Sequence, residues 1–212
     1  MANVNAPYGL IPFQSSVGAA SNFENVQKQI AYNDTTKIYR GDPVKLLNTG
    51  YIAQWSAATD AKYFAGVFLS CTYLSSSQGK VVQSQYWPGA DVASTAQDSI
   101  VAQIAPAGMG AAAGLFRVQS DATGIAFADI NLNAEITVGT GNTLTGQSGA
   151  YLSGPAATAT LPVTIVGLYG GLPGAGGFMG VQPSATNPYG GSATGAYNWV
   201  IVRPNAAALL GL

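Results

Sequence analysis

The chain has 212 residues, 48% of them apolar and only 8% charged, with a net charge of −1 and no histidine. This length and apolar content suit one large domain or two small ones and exclude disorder throughout. The eight basic residues are scattered and make no patch for phosphates, so nucleic acid is not an expected partner.

Residues 1–23 form an expected extended arm. Pro7 and Pro12 bias the residues before them away from helix. Tyr8, Leu10, Ile11 and Phe13 lie among them without helical periodicity, so their side chains must rest on the body or on a neighbour. Pro7, Tyr8, Leu10, Ile11 and Phe13 are the candidate partner-binding residues, and the arm is expected to be removable without unfolding the rest.

Residues 24–205 read as a β-rich body. Expected strands are Gln27–Tyr32, Thr36–Tyr39, Pro43–Leu47, Tyr51–Trp55, Tyr63–Ser70 and Lys80–Trp87, punctuated by Asn33-Asp34, Gly41-Asp42-Pro43, Asn48-Thr49-Gly50, Ser75–Gly79 and Pro88-Gly89. The segment 90–98 is a short helix or a connection. Ser99–Ala105 and Leu115–Ser120 follow, the second with Phe116 and Val118 on one face and Arg117 and Gln119 on the other. The segment 121–133 has no firm assignment. Ala134–Val138 and Val163–Tyr169 are strands, residues 139–143 a turn, and 170–177 and 183–196 Gly-rich loops. Tyr197–Arg203 is apolar on both faces, which predicts a central strand or one under a partner. The body divides, if it divides, near residue 120, and 206–212 is a C-terminal tail. The expected fold is all-β, a sandwich or barrel-like body of short antiparallel strands.

Residues 136–202 contain no Asp, Glu, Lys or Arg. Enzymes gather ionisable groups to move protons or stabilise charge, and this chain has few to gather, so it is not expected to be an enzyme and no cofactor or metal is expected. Cys71 is the sole cysteine, which rules out an intrachain disulfide and a Cys/His metal centre. A nucleophilic thiol would want a histidine beside it; a packed, inert thiol is expected. Arg40-Gly41-Asp42 matches an adhesion tripeptide, but Pro43 and the apolar residues after it favour a turn leading into a strand. The Gly-rich run 167–180 lacks the Lys of a phosphate loop. Asp91, Asp98, Asp121 and Asp129 are expected to cap or solvate loops rather than to act as an acid pair or bind calcium. Tyr51, Trp55, Tyr63, Tyr73, Tyr86 and Trp87, with Tyr189, Tyr197 and Trp199, are expected in the core or in subunit contacts rather than as a sugar platform. The segment Leu161–Val181 is long enough for a membrane span, but Gly and Pro interrupt it, and no membrane association is expected. Met1–Asn5 lacks the basic start of a signal peptide.

Roughly 25% of an ordinary domain is charged, and a surface as neutral as this one suits burial in an assembly. Seven segments give that idea a direction: Asn5–Pro12, Tyr39–Val44, Phe64–Phe68, Gln85–Pro88, Leu115–Gln119, Thr145–Gly149 and Trp199–Asn205. In this order they resemble the head decoration, or cement, proteins of tailed bacteriophages. The resemblance implies a non-enzymatic β-rich virion protein, a homotrimer on the outer surface of the capsid, that bridges neighbouring copies of the major capsid protein through its N-terminal arm. Alternatives are another virion component, such as a tail tube or neck protein, and a carbohydrate-binding adhesion module.

Overall fold

A computed structural model describes residues 4–15, 25–56, 63–108, 114–169 and 195–205. These residues build an all-β fold. Its strands are β1 (Ile11–Ser15), β2 (Val26–Lys28), β3 (Ile38–Tyr39), β4 (Pro43–Leu46), β5 (Ile52–Gln54), β6 (Phe64–Leu74), β7 (Val81–Ser84), β8 (Tyr86–Trp87), β9 (Val101–Pro106), β10 (Gly114–Gln119), β11 (Asn133–Thr137), β12 (Tyr151–Ala156), β13 (Val163–Tyr169) and β14 (Trp199–Pro204). Helix among the described residues is confined to short 3-10 turns such as Gln97–Ser99 and Phe127–Asp129, and none is long and apolar enough to cross a membrane.

Two antiparallel sheets carry the fold. The first runs β2-β9-β6-β4-β5, with β7 added beside the far half of β6. It curls until the residues after β2 meet β5: Ile30 bridges Ile52 in parallel, and the Ile52 amide donates to the Gln29 carbonyl at 2.9 Å. The second runs β1-β10-β14-β13-β11-β12. It returns on itself too, because Ser120, just past β10, bridges Leu152 of β12 in parallel. Each sheet is therefore a small barrel closed at one seam, with β1 added outside the second. A two-stranded ribbon, β3-β8, flanks the first. The change from one sheet to the other falls between β9 and β10, although β1 joins the second sheet from the far end of the chain.

The alternating faces of the strands fill two cores. Ile30, Ile38, Val44, Ile52, Phe68, Trp87, Ile100 and Ile104 fill the first barrel. Phe116, Val118, Ile136, Leu152, Val163, Ile165, Val200 and Val202 fill the second, joined by Leu10, Trp55, Phe64 and Val67 from the other end of the sequence. Neighbouring residues of β6 thus serve different cores: Val67 faces the second and Phe68 the first, as the two-residue strand period requires. β14 lies between β10 and β13, a central strand with Val200, Ile201 and Val202 all buried.

Several elements differ from the sequence reading. β6 runs on through Cys71, Thr72 and Tyr73 to Leu74, because β7 gives its far half a partner. The strand expected at 80–87 is two strands, separated at Gln85, that pair with different neighbours. β12 was not foreseen, since Gly154 and Pro155 interrupt its pattern at a position where an edge strand tolerates them. The segment 90–98 holds no α-helix. The loops expected at 170–177 and 183–196, except Gly195 and Ala196, and the tail 206–212 lie outside the described residues.

Two buried tryptophans make a natural comparison. The Trp87 indole N–H donates to the Asp34 carbonyl at 2.9 Å. The Trp55 indole N–H is buried with no acceptor among the described residues. Both rings pack edge-on against another aromatic. Replacement by phenylalanine removes similar volume at each site but breaks a hydrogen bond only at Trp87. Trp87→Phe is expected to cost about 1–2 kcal/mol more than Trp55→Phe in urea denaturation.

Candidate functional site

The arm lies on its own chain. The Ala6 amide donates to Oε1 of Gln119 at 3.0 Å, and Nε2 of Gln119 donates to the carbonyls of Val4 (2.8 Å) and Tyr197 (2.9 Å). The Gly9 amide donates to the Ala150 carbonyl and the Leu10 amide to the Gly41 carbonyl. β1 then pairs with β10, Ile11 opposite Arg117, with a bulge after Pro12. Gly9 needs its left-handed backbone (φ +78°), and any Cβ there would strike the Gly41 carbonyl.

Of the five candidate arm residues, Leu10 is a correction. It is 1% exposed and belongs to the core of the second barrel, so it is not available to a neighbour. Removal of the arm therefore takes away core and is expected to destabilise the body. Pro7, Ile11 and Phe13 are half-buried and Tyr8 is exposed.

Tyr8 and Phe13 bracket a row of side chains on the outer face of the second sheet. The Tyr8 ring lies 5.1 Å from that of Trp199, and Phe13 meets Tyr169 edge-on at 5.5 Å. Between these pairs sits Arg117, its guanidinium carbon 4.6 Å from the centre of the Tyr169 ring and 5.1 Å from that of Trp199. Strand register explains the grouping. Tyr169 and Trp199 are opposite each other on β13 and β14, and Arg117 on β10 is opposite Ile201, two residues further along β14. All of these side chains point away from the core that receives Phe116, Val118, Val200 and Val202. Cation and ring attract through the ring quadrupole. Nε of Arg117 is closed off from solvent with no hydrogen-bond partner among the described residues. The terminal nitrogens are not closed off in this way, and the residue is half-buried.

The second notable place is the joint between the barrels, built on Arg40-Gly41-Asp42. The Gly41 amide donates to the Phe68 carbonyl and the Phe68 amide to the Asp42 carbonyl, tying the turn to β6. Arg40 exchanges backbone hydrogen bonds with Gly146 and Ser148 of the second barrel. The Asp42 side chain is fully buried. Its carboxylate accepts from the Tyr39 amide and from Nε2 of Gln54, each at 2.8 Å, and from the Ser148 hydroxyl, which in turn accepts from the Ala150 amide. Burial pushes the Asp42 carboxyl above its ordinary range, while the donors from Ser148, Tyr39 and Gln54 pull it back in part. A side chain placed here cannot be offered to an adhesion receptor, in keeping with the turn that the sequence suggests.

The remaining candidates have local tasks. Cys71 is buried, its thiol 3.5 Å from the Tyr86 carbonyl, and burial pushes it up to about 12, which keeps it protonated and unreactive. Asp91 accepts from the hydroxyls of Ser75 (2.6 Å) and Ser76 (2.9 Å) and from the Ser77 amide (2.7 Å). These donors, Ser75 foremost, hold its carboxyl down at about 2. Asp121 accepts from the amides of Thr123 and Gly124, and Asp129 from that of Ala126, so both close turns. Trp55, Tyr73 and Trp87 are core residues, whereas Tyr63 is exposed.

The sequence reading puts Arg117 on the strand face opposite Phe116 and Val118 and expects Trp199 in the core or in subunit contacts, and it assigns neither to a site. The available signal was a cation and two aromatics at outward positions of three strands, and recognising it needed the strand order. No protein-family model, curated protein or solved structure matches the chain.

Proposed function

We propose that this chain is a structural virion protein that binds the outside of a tailed-bacteriophage capsid as a trimer and cements neighbouring copies of the major capsid protein. The observation that carries the reading is spatial. The seven segments whose order resembles decoration proteins make one connected set of contacts. Gly9 and Leu10 meet Gly41 and Ala150; Gly41 and Asp42 meet Phe68; Tyr39 pairs with Tyr86; Arg40 meets Gly146 and Ser148. β1 pairs with β10, β10 with β14, and Tyr8 packs on Trp199. Segments scattered over the sequence thus form one framework, which suits a resemblance that follows fold. The charge-free stretch from 136 to 202 supports the same reading, since a surface covered for life in an assembly need not pair desolvated charges.

Immunogold labelling of intact particles tests it, together with shells lacking this chain that are incubated with the purified protein. The expected result is label over the outside of the head, saturable binding to shells, and a higher temperature for DNA release. Label on the tail, or no retention on shells, would overturn the proposal.

A further inference from the structure

We propose that the aromatic-framed guanidinium of Arg117 is a docking point for an acidic side chain of a partner polypeptide. The inference rests on the proposed role only for the identity of that partner. Trp199 and Tyr169 hold the cation between their rings, and Tyr8 and Phe13 of the arm brace those rings from outside. The planar cation is therefore held in place before anything binds. Its side chain makes no hydrogen bond or ion pair to any described residue. A guanidinium with free terminal N–H groups and a fixed plane suits a carboxylate, which it grips through two parallel hydrogen bonds. Aromatic walls exclude water around the pair and strengthen it, and arginine framed by tryptophan and tyrosine is the composition of an interface hot spot.

Most carboxylates among the described residues are committed within their own chain, which favours a carboxylate from another kind of protein. Asp34, Asp42, Asp91, Asp121 and Asp129 are already acceptors inside their own chain, and Glu135 is also engaged. Among the described residues only Asp98 remains for a second copy to offer. Net charge of −1 and scattered basic residues count against a nucleic acid as the occupant.

Two measurements on the full chain test the proposal. The first compares wild type, Arg117→Gln and Arg117→Lys for binding to shells that lack this chain, at low and high salt. Arg117→Gln is expected to bind about tenfold or more weakly and to lose salt dependence, with Arg117→Lys intermediate because it keeps charge but not the fork. Circular dichroism on melting checks that the variants remain folded. The second follows tryptophan fluorescence while an acetylated hexaglutamate peptide is added, with hexaglutamine as control. Trp55 and Trp87 are buried, so a saturable change reports on Trp199. The change is expected with hexaglutamate, absent with hexaglutamine and absent in Arg117→Gln. If wild type ignores shells but passes the peptide test, the capsid role fails and the docking point stands. If Arg117→Gln binds shells like wild type, or responds to hexaglutamate like wild type, the docking point is overturned. An Asp98→Asn variant that fails to self-associate where wild type does would also overturn it, by making the occupant a second copy.

Discussion

Asp42→Ala is expected to lower the free energy of unfolding by about 3–4 kcal/mol in urea denaturation at neutral pH. The Tyr39 amide, Nε2 of Gln54 and the Ser148 hydroxyl all converge on this carboxylate, and alanine leaves them without an acceptor where solvent does not reach. Asp42→Asn is expected to cost about 1 kcal/mol or less. Its carbonyl can accept from Tyr39 and Gln54, its amide can donate to the Ser148 oxygen, and no charge is taken out of water.

The two variants also separate hydrogen bonding from charge through pH. Burial is the dominant influence on Asp42 and raises its carboxyl in the folded state above that in the unfolded chain. The unfolded chain then releases the proton at lower pH than the folded one. The stabilisation linked to that proton is complete below the ordinary aspartate value of about 3.9 and is lost as pH rises through the higher folded value. Wild type is accordingly expected to lose stability relative to Asp42→Asn as pH climbs from about 4. A stability difference that moves the other way over this range would mean that the three donors outweigh burial.

The arm produces the other large effect. Leu10→Ala is expected to cost about 3 kcal/mol, the usual range for a fully buried leucine whose cavity cannot collapse. Deletion of residues 1–13 is expected to cost more, because it also removes the first half of the β1–β10 pairing and the two hydrogen bonds that Gln119 makes to Val4 and Ala6. Chemical denaturation measures both. A shell-binding assay on that deletion would confuse lost contact with lost stability. Tyr8→Ala is the cleaner probe, since Tyr8 is exposed and its ring lies against Trp199 on the outer face. A truncated chain that melts with wild type would show that Leu10 contributes little to the core.

Much of the fold is legible in the sequence because its signals are local. Turn-formers bound most strands in the first half, and apolar alternation locates β10, β13 and β14. The long-range part is not legible. Nothing near Ile11 indicates that its strand partner is Arg117, so an arm that completes its own sheet looks the same in sequence as an arm that reaches for a neighbour. The strand β12 is hidden by Gly154 and Pro155, which weaken the pattern without preventing an edge strand. The candidate site is still less visible. Phe13, Arg117, Tyr169 and Trp199 share no motif or spacing, and they meet only because β1, β10, β13 and β14 lie next to one another in that part of the sheet. The joint at Asp42 was read correctly as a turn, but its buried carboxylate was not, because Ser148 comes from more than a hundred residues away.

The strand order also sets a timetable for the ribosome. The strands of the first barrel all lie between residues 26 and 106, so that barrel can close while the rest of the polypeptide is still being made. The second cannot, because β14 sits in its middle and is nearly the last segment to emerge. Until β10 is made the first strand, β1, has no partner, and until β14 arrives Leu10 has only part of its core to enter. A nascent chain stalled before residue 199 should therefore expose its N-terminal residues to protease while residues 26–106 resist, and release of the finished chain should protect both at once.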